Sequence, residues 1–145
     1  MTQLNFHNKA FQLPPPQRLL TDLPILTKLS ESYKLWHDFL TVLPRLTRYT
    51  LGIKIDNLFT ECLELSILAG YSARSEKLTV VQKLSTKVDA LKFFLKLLWE
   101  IKALDSKKYA GISTLLADVG KMAGGWLASL KKETPPTFAG GERRE

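Results

Sequence analysis

The chain has 145 residues, 45% of them hydrophobic and 24% charged, which fits one folded domain and excludes a wholly disordered or collagen-like polymer. Lysine and arginine number 21 against 14 aspartate and glutamate, a formal charge of +7 that favours anionic partners. Residues 25–130 hold 15 basic and 10 acidic side chains, so most of the surplus belongs to the folded part and not to a tail.

Prolines partition the chain. Pro14, Pro15, Pro16, Pro24 and Pro44 crowd the first third, and then none occurs until Pro135 and Pro136. Residues 1–23 are expected to be extended or disordered, residues 24–131 to form the folded unit, and residues 132–145 to be a flexible tail. The first residues lack a basic stretch followed by an apolar run, and no segment reaches the roughly 18–20 apolar residues that cross a bilayer. A cytoplasmic location with no membrane partner is therefore expected.

Four helices are predicted in the interior. The first runs from about Ile25 to Leu40 and places Leu26, Leu29, Tyr33, Trp36 and Leu40 at helical spacing. The second opens near Arg48, ends around Gly70 to Ser75, and carries Leu51, Ile55, Leu58, Phe59, Cys62, Leu65 and Ala69 on one arc. The third, from about Glu76 to Leu104, is the most regular, with Leu84, Val88, Leu91, Leu95 and Leu98 on one face. Asp105 and Ser106 supply capping chemistry for a fourth, from about Lys107 to Leu130, with Tyr109, Ile112, Leu115, Leu116, Val119, Ala123, Trp126 and Leu130 as its stripe. Gly120 and Gly124 fall four apart on it, as in a notch where another backbone approaches. Long helices joined by short connections turn back on themselves, so the expected fold is an all-α, up-down-up-down antiparallel four-helix bundle.

No catalytic signature is present. The chain lacks a glycine-rich phosphate loop, a GxSxG elbow, an HExxH pair and a Cys-x-x-Cys pair, and an enzyme is not expected. Cys62 is the one cysteine; with His7 and His37 it cannot make a four-ligand Cys/His zinc site, and it is expected in the core. Glu61 and Glu64 are expected to be solvated or ion-paired. No metal or other cofactor is implied.

What lies off the apolar stripes points to partners. Leu63 and Ile67 on the second helix, and Phe93 and Leu97 on the third, are candidate oligomer contacts. Lys83 and Lys87 sit one turn apart on one shoulder of the third helix, and Lys92 and Lys96 on the other. A second basic segment, from Lys34 to Lys54, supplies Arg45, Arg48 and Lys54, with Trp36, His37 and Tyr49 interleaved along it. These seven cations are the candidate nucleic-acid contacts, chosen from local charge.

Five strings in order carry a family resemblance: YKLWHDFL (33–40), LPRLTRYTLGIKIDNLF (43–59), LAGYSARSEKL (68–78), KVDALKFFLKLLWEIKALDSKKYA (87–110) and VGKMAGGWLASL (119–130). Together they resemble the Avd family, the accessory variability determinant of diversity-generating retroelements. More distantly, they are similar to four-helix-bundle proteins of 23S ribosomal RNA intervening sequences. The resemblance implies a small basic bundle that assembles into a homopentameric barrel. It also implies association with the element's reverse transcriptase and binding of template-repeat RNA and its cDNA during mutagenic retrohoming. The alternative is a structural or protein-protein bundle of the intervening-sequence type without a reverse transcriptase partner.

Overall fold

A computed structural model describes residues 23–133, which form five helices: α1 (Pro24–Leu40), α2 (Arg45–Tyr49), α3 (Leu51–Tyr71), α4 (Arg74–Glu100) and α5 (Ser106–Glu133). No strand occurs among the described residues. The expectations for residues 1–22 and 134–145 lie outside them. Residues 132 and 133, expected in the tail, instead complete the last turn of α5, where Lys131 and Lys132 sit favourably at the negative end of the helix dipole. Among the described residues no helix is long and apolar enough to cross a membrane.

The four long helices pack in a closed cycle, α1 on α3, α3 on α4, α4 on α5 and α5 back on α1. The seam of α4 is the one expected: Leu84, Val88, Leu91, Leu95 and Leu98 are all buried, and Val81 joins them. On α1 the observed stripe is rotated from the expected one. Ile25, Leu29, Ser32, Trp36 and Phe39 are buried, while Leu26, Tyr33 and Leu40 are half-buried, because α1 must touch α3 on one flank and α5 on the other. Ser32 and Ser66 are buried with their hydroxyls donating to the carbonyls of Lys28 and Cys62 at 2.8 and 2.9 Å, so neither leaves a polar atom unsatisfied.

The α1–α3 contact is built on aromatics. Trp36 stacks on Phe59 with centroids 6.1 Å apart, and Tyr33 meets Phe59 edge-on at 5.7 Å. The indole Nε1 of Trp36 donates to Asp56 Oδ1 at 3.2 Å, which satisfies a buried donor. Burial, then the hydrogen bond and charge of Asp56, push the Tyr33 hydroxyl above its ordinary pKa. Cys62 is buried in the same core, and burial, aided by the charge of Glu61 against that of Lys87, raises its thiol to about 12.

Two helix ends differ from expectation. The second predicted helix is divided, since Thr50 at φ −117° and ψ −88° separates α2 from α3. The third stops at Glu100 and not at Leu104. Lys102 adopts φ 65°, its N–H donates to Trp99 O, and the N–H of Ala103 reaches Leu98 O, a Schellman closure with lysine where glycine is usual. At the start of α5, Asp105 caps as expected, its Oδ1 accepting from the Lys108 N–H at 2.8 Å. That bond, and then the Lys108 ammonium 3.0 Å from Oδ2, hold the carboxyl below its usual pKa.

A left-handed conformation penalises any residue with a Cβ by roughly 1 kcal/mol. Lys102→Gly is therefore expected to stabilise the fold by about 1 kcal/mol in urea denaturation; an unchanged or lowered midpoint would show that the turn is not strained at this residue.

Candidate functional site

The seven candidate cations do not occupy equivalent places. Arg48 is turned inward, with its Nη2 donating to the carbonyls of Thr41 at 3.2 Å and Leu43 at 2.9 Å beyond the end of α1, while its buried Nε has no acceptor. It ties α2 to the bundle. Gly52 completes this corner, because a Cβ there would stand 3.2 Å from Thr47 O. Arg45, on the same short helix, is exposed.

Along α4 the lysines differ in their partners. Lys87 is engaged by Glu61 at 3.0 Å, as a surface ion pair across the α3–α4 boundary. Glu64 is exposed. Lys83 and Lys92 are exposed and form no ion pair among the described residues, and Lys96 is held only loosely by Glu100 at 3.9 Å. Lys54, on α3, holds its ammonium 5.9 Å from the centroid of Phe94, in reach of a cation–π attraction.

Lys92 and Lys96 border a groove of about 280 Å³ between α4 and α5. Phe93, Tyr109, Ser113 and Ala117 complete its rim, with Leu95 and Leu116 also lining it. Its chemistry is two cations, two hydroxyl-bearing side chains and a phenyl ring, which suits an anion with an attached planar group. A larger depression, about 670 Å³, lies at the α4–α5 turn, but the carboxylates of Glu100 and Asp105 border it and disfavour a polyanion. Sequence reasoning misses Tyr109 and Ser113 as groove residues. Their spacing of four on one helix is a signal for a shared face, but the apolar repeat assigns Tyr109 to the core stripe, where it is in fact only half-buried and stacks on Trp99 at 5.0 Å.

The glycine notch is not what its spacing implies. Among the described residues no backbone approaches Gly120 or Gly124: a Cβ on Gly120 would meet only the Lys92 ammonium, at 3.0 Å, and one on Gly124 would meet nothing within 4 Å. Gly120 instead gives the Lys92 side chain room to lie across α5.

The candidate oligomer contacts fall into two separate pairs. Phe93 is 59% exposed and Ile67 37%, whereas Leu63 and Leu97 are half-buried and Leu63 packs on the core. Glu61 faces Lys87 and Lys54 faces Phe94, so residue numbers rise along α3 as they fall along α4. On that register Ile67 lies level with residue 81, about 18 Å along the axis from Phe93 at 1.5 Å per residue. Other apolar groups are also exposed, notably Leu46, Tyr49 and Ile53 around α2 and Leu68 and Tyr71 at the end of α3.

A family model described as bAvd-like matches residues 24–130. No curated protein matches the chain.

Arg48 and Arg45 provide an internal contrast. Arg48→Ala removes two charge-assisted hydrogen bonds and is expected to destabilise the protein by about 1.5–3 kcal/mol, while Arg45→Ala is expected to change stability by less than about 0.5 kcal/mol. Equal urea midpoints for the two variants would refute the structural role of Arg48.

Proposed function

Since the chain belongs to the bAvd-like family, by a match that spans the helices from residue 24 to residue 130, we propose that it is a non-catalytic accessory protein of a diversity-generating retroelement. It holds template RNA and the derived cDNA beside the element's reverse transcriptase. The observation that carries the nucleic-acid part of this reading is the set of lysines on α4, of which Lys83 and Lys92 have no ion pair among the described residues and Lys96 only a loose one. Arg45 and Lys54 extend the positive surface towards α2. Lys87 is largely neutralised by Glu61, and Arg48 has its Nη2 occupied by the carbonyls of Thr41 and Leu43, so both contribute less.

The scaffold for this role is an up-down-up-down four-helix bundle. Three pairs support it: Trp36 with Asp56 across α1–α3, Glu61 with Lys87 across α3–α4, and Arg74 with Glu133 at 3.2 Å joining the start of α4 to the end of α5. Self-association into a homopentamer would repeat each modest patch around an axis and raise avidity for a long polyanion without altering any single patch. The exposed Leu46, Tyr49 and Ile53 favour such burial between copies. The reading needs no metal and no bond chemistry from this chain, and the protein works in the cytoplasm with the polymerase it serves.

Salt dependence tests the site. For every phosphate that a lysine no longer neutralises, the slope of log K against log salt becomes shallower by about 0.7–0.9, so Lys83→Gln, Lys92→Gln and Lys96→Gln combined are expected to reduce it by about 2–3 for RNA. An unchanged slope would reject the α4 lysines. Light scattering tests the ring independently: a monomer at micromolar concentration would remove it.

A further inference from the structure

Phe93 stands out on the outer face of α4. A phenyl group that is 59% exposed sits in line with Thr86, Asp89 and Glu100, all exposed and polar or charged, and nothing among the described residues covers it. Its neighbours nevertheless position it. It meets Phe94 edge-on, with centroids 5.5 Å apart and planes at 76°, and Phe94 lies in turn beneath the Lys54 ammonium. On the opposite side Lys92 and Lys96 flank it along the groove shared with Tyr109 and Ser113.

An exposed ring braced by a second ring, with Lys92 and Lys96 along the groove on one side and Lys54 beyond Phe94 on the other, suits a ligand with flat faces and regularly spaced negative charges. A polynucleotide has both, but a duplex hides its base faces within the stack, and the ring gains nothing from it. An unpaired base can lie on the ring, and this is the arrangement by which single strands are held without sequence preference. Lys92 and Lys96, one helical turn apart, then lie along the strand beside the stacked base. Asp89 and Glu100 bound the surface along α4, and a phosphate would displace the loose hold of Glu100 on Lys96.

We propose that Phe93 stacks an unpaired base of a single-stranded polynucleotide whose phosphates rest on Lys92 and Lys96, so that this surface selects single strands over duplex. The inference rests on the nucleic-acid reading above and deepens it. It commits Phe93 to nucleic acid and leaves self-association to the apolar groups around α2.

The test uses the full chain and one labelled, unstructured RNA, measured by fluorescence anisotropy alone and annealed to its complement. Phe93→Ala is expected to weaken binding of the single strand by roughly tenfold and to leave duplex binding unchanged. Phe93→Trp is expected to bind the single strand at least as tightly as the parent. Light scattering on each variant is expected to give the parent mass. Equal weakening of both RNA forms, no weakening by Phe93→Ala, or a change of mass on substitution would each overturn the stacking role, the last by assigning Phe93 to an interface between copies. If the parent protein binds neither RNA form, the nucleic-acid reading itself fails and takes this inference with it.

Discussion

Burial of one continuous face on each long helix is the constraint on which the remaining features depend. On α4, Leu84, Leu91, Leu95 and Leu98 are essentially inaccessible, and each such side chain contributes about 1.5–3 kcal/mol relative to exposure. Once that face is fixed inward, the 100° step of the helix leaves no freedom for the residues between. Lys83 and Lys87 must emerge towards α3, Lys92 and Lys96 towards α5, and Phe93 between them towards solvent. The lysine shoulders are a geometric consequence of the seam, and their stems can lie along its apolar edge while the ammonium groups stay in water.

The same constraint accounts for the charges that are not free. Where α4 meets α3, Lys87 comes within 3.0 Å of Glu61 and the positive potential is cancelled locally. Where α4 meets α5, the facing residues are Tyr109, Ser113, Ala117 and Gly120, none of them acidic. The two shoulders therefore differ in electrostatic value although their lysine spacing is identical. Asp118 on α5 is drawn instead towards Lys28 of α1, at 3.9 Å, on the far side of that helix. Positive surface survives on α4 at Lys83, which has no ion pair among the described residues, and along the α5 side, where the neighbouring helix supplies small or hydroxyl-bearing side chains.

Much of this is legible in the sequence, and the parts that are not have identifiable causes. Periodicity finds the four long helices and the core face of α4 from Leu84 to Leu98, though not Val81, because a strong apolar repeat bounded by polar residues has one inward solution. It misplaces the stripe on α1, where Leu26 and Ile25 are both apolar and only the positions of α3 and α5 decide between them. It misses the break at Thr50 and the stop at Lys102, since neither carries glycine or proline and each depends on hydrogen bonds made only in the folded chain. Charge counting groups Arg48 with Arg45, but what separates them is access to the carbonyls of Thr41 and Leu43. The glycine spacing on α5 suggests a backbone notch, while the folded chain uses Gly120 to seat a lysine.

The separation between what holds the fold and what faces outward has a mechanical consequence. Trp36, Phe59, Leu91 and Leu116 have no access to solvent, whereas Lys92, Phe93 and Lys96 are exposed and bury little that the core depends on. Surface substitutions away from caps and buried networks usually change stability by less than about 0.5 kcal/mol. The α4–α5 surface can therefore vary in charge and aromaticity while the bundle beneath it keeps its seam, so the proposed affinity for a polyanion would be set almost independently of folding. Arg48 is the exception that defines the boundary: a cation of the same surface type, drawn into the corner between α1 and α3, has been converted from a ligand-facing charge into part of the scaffold.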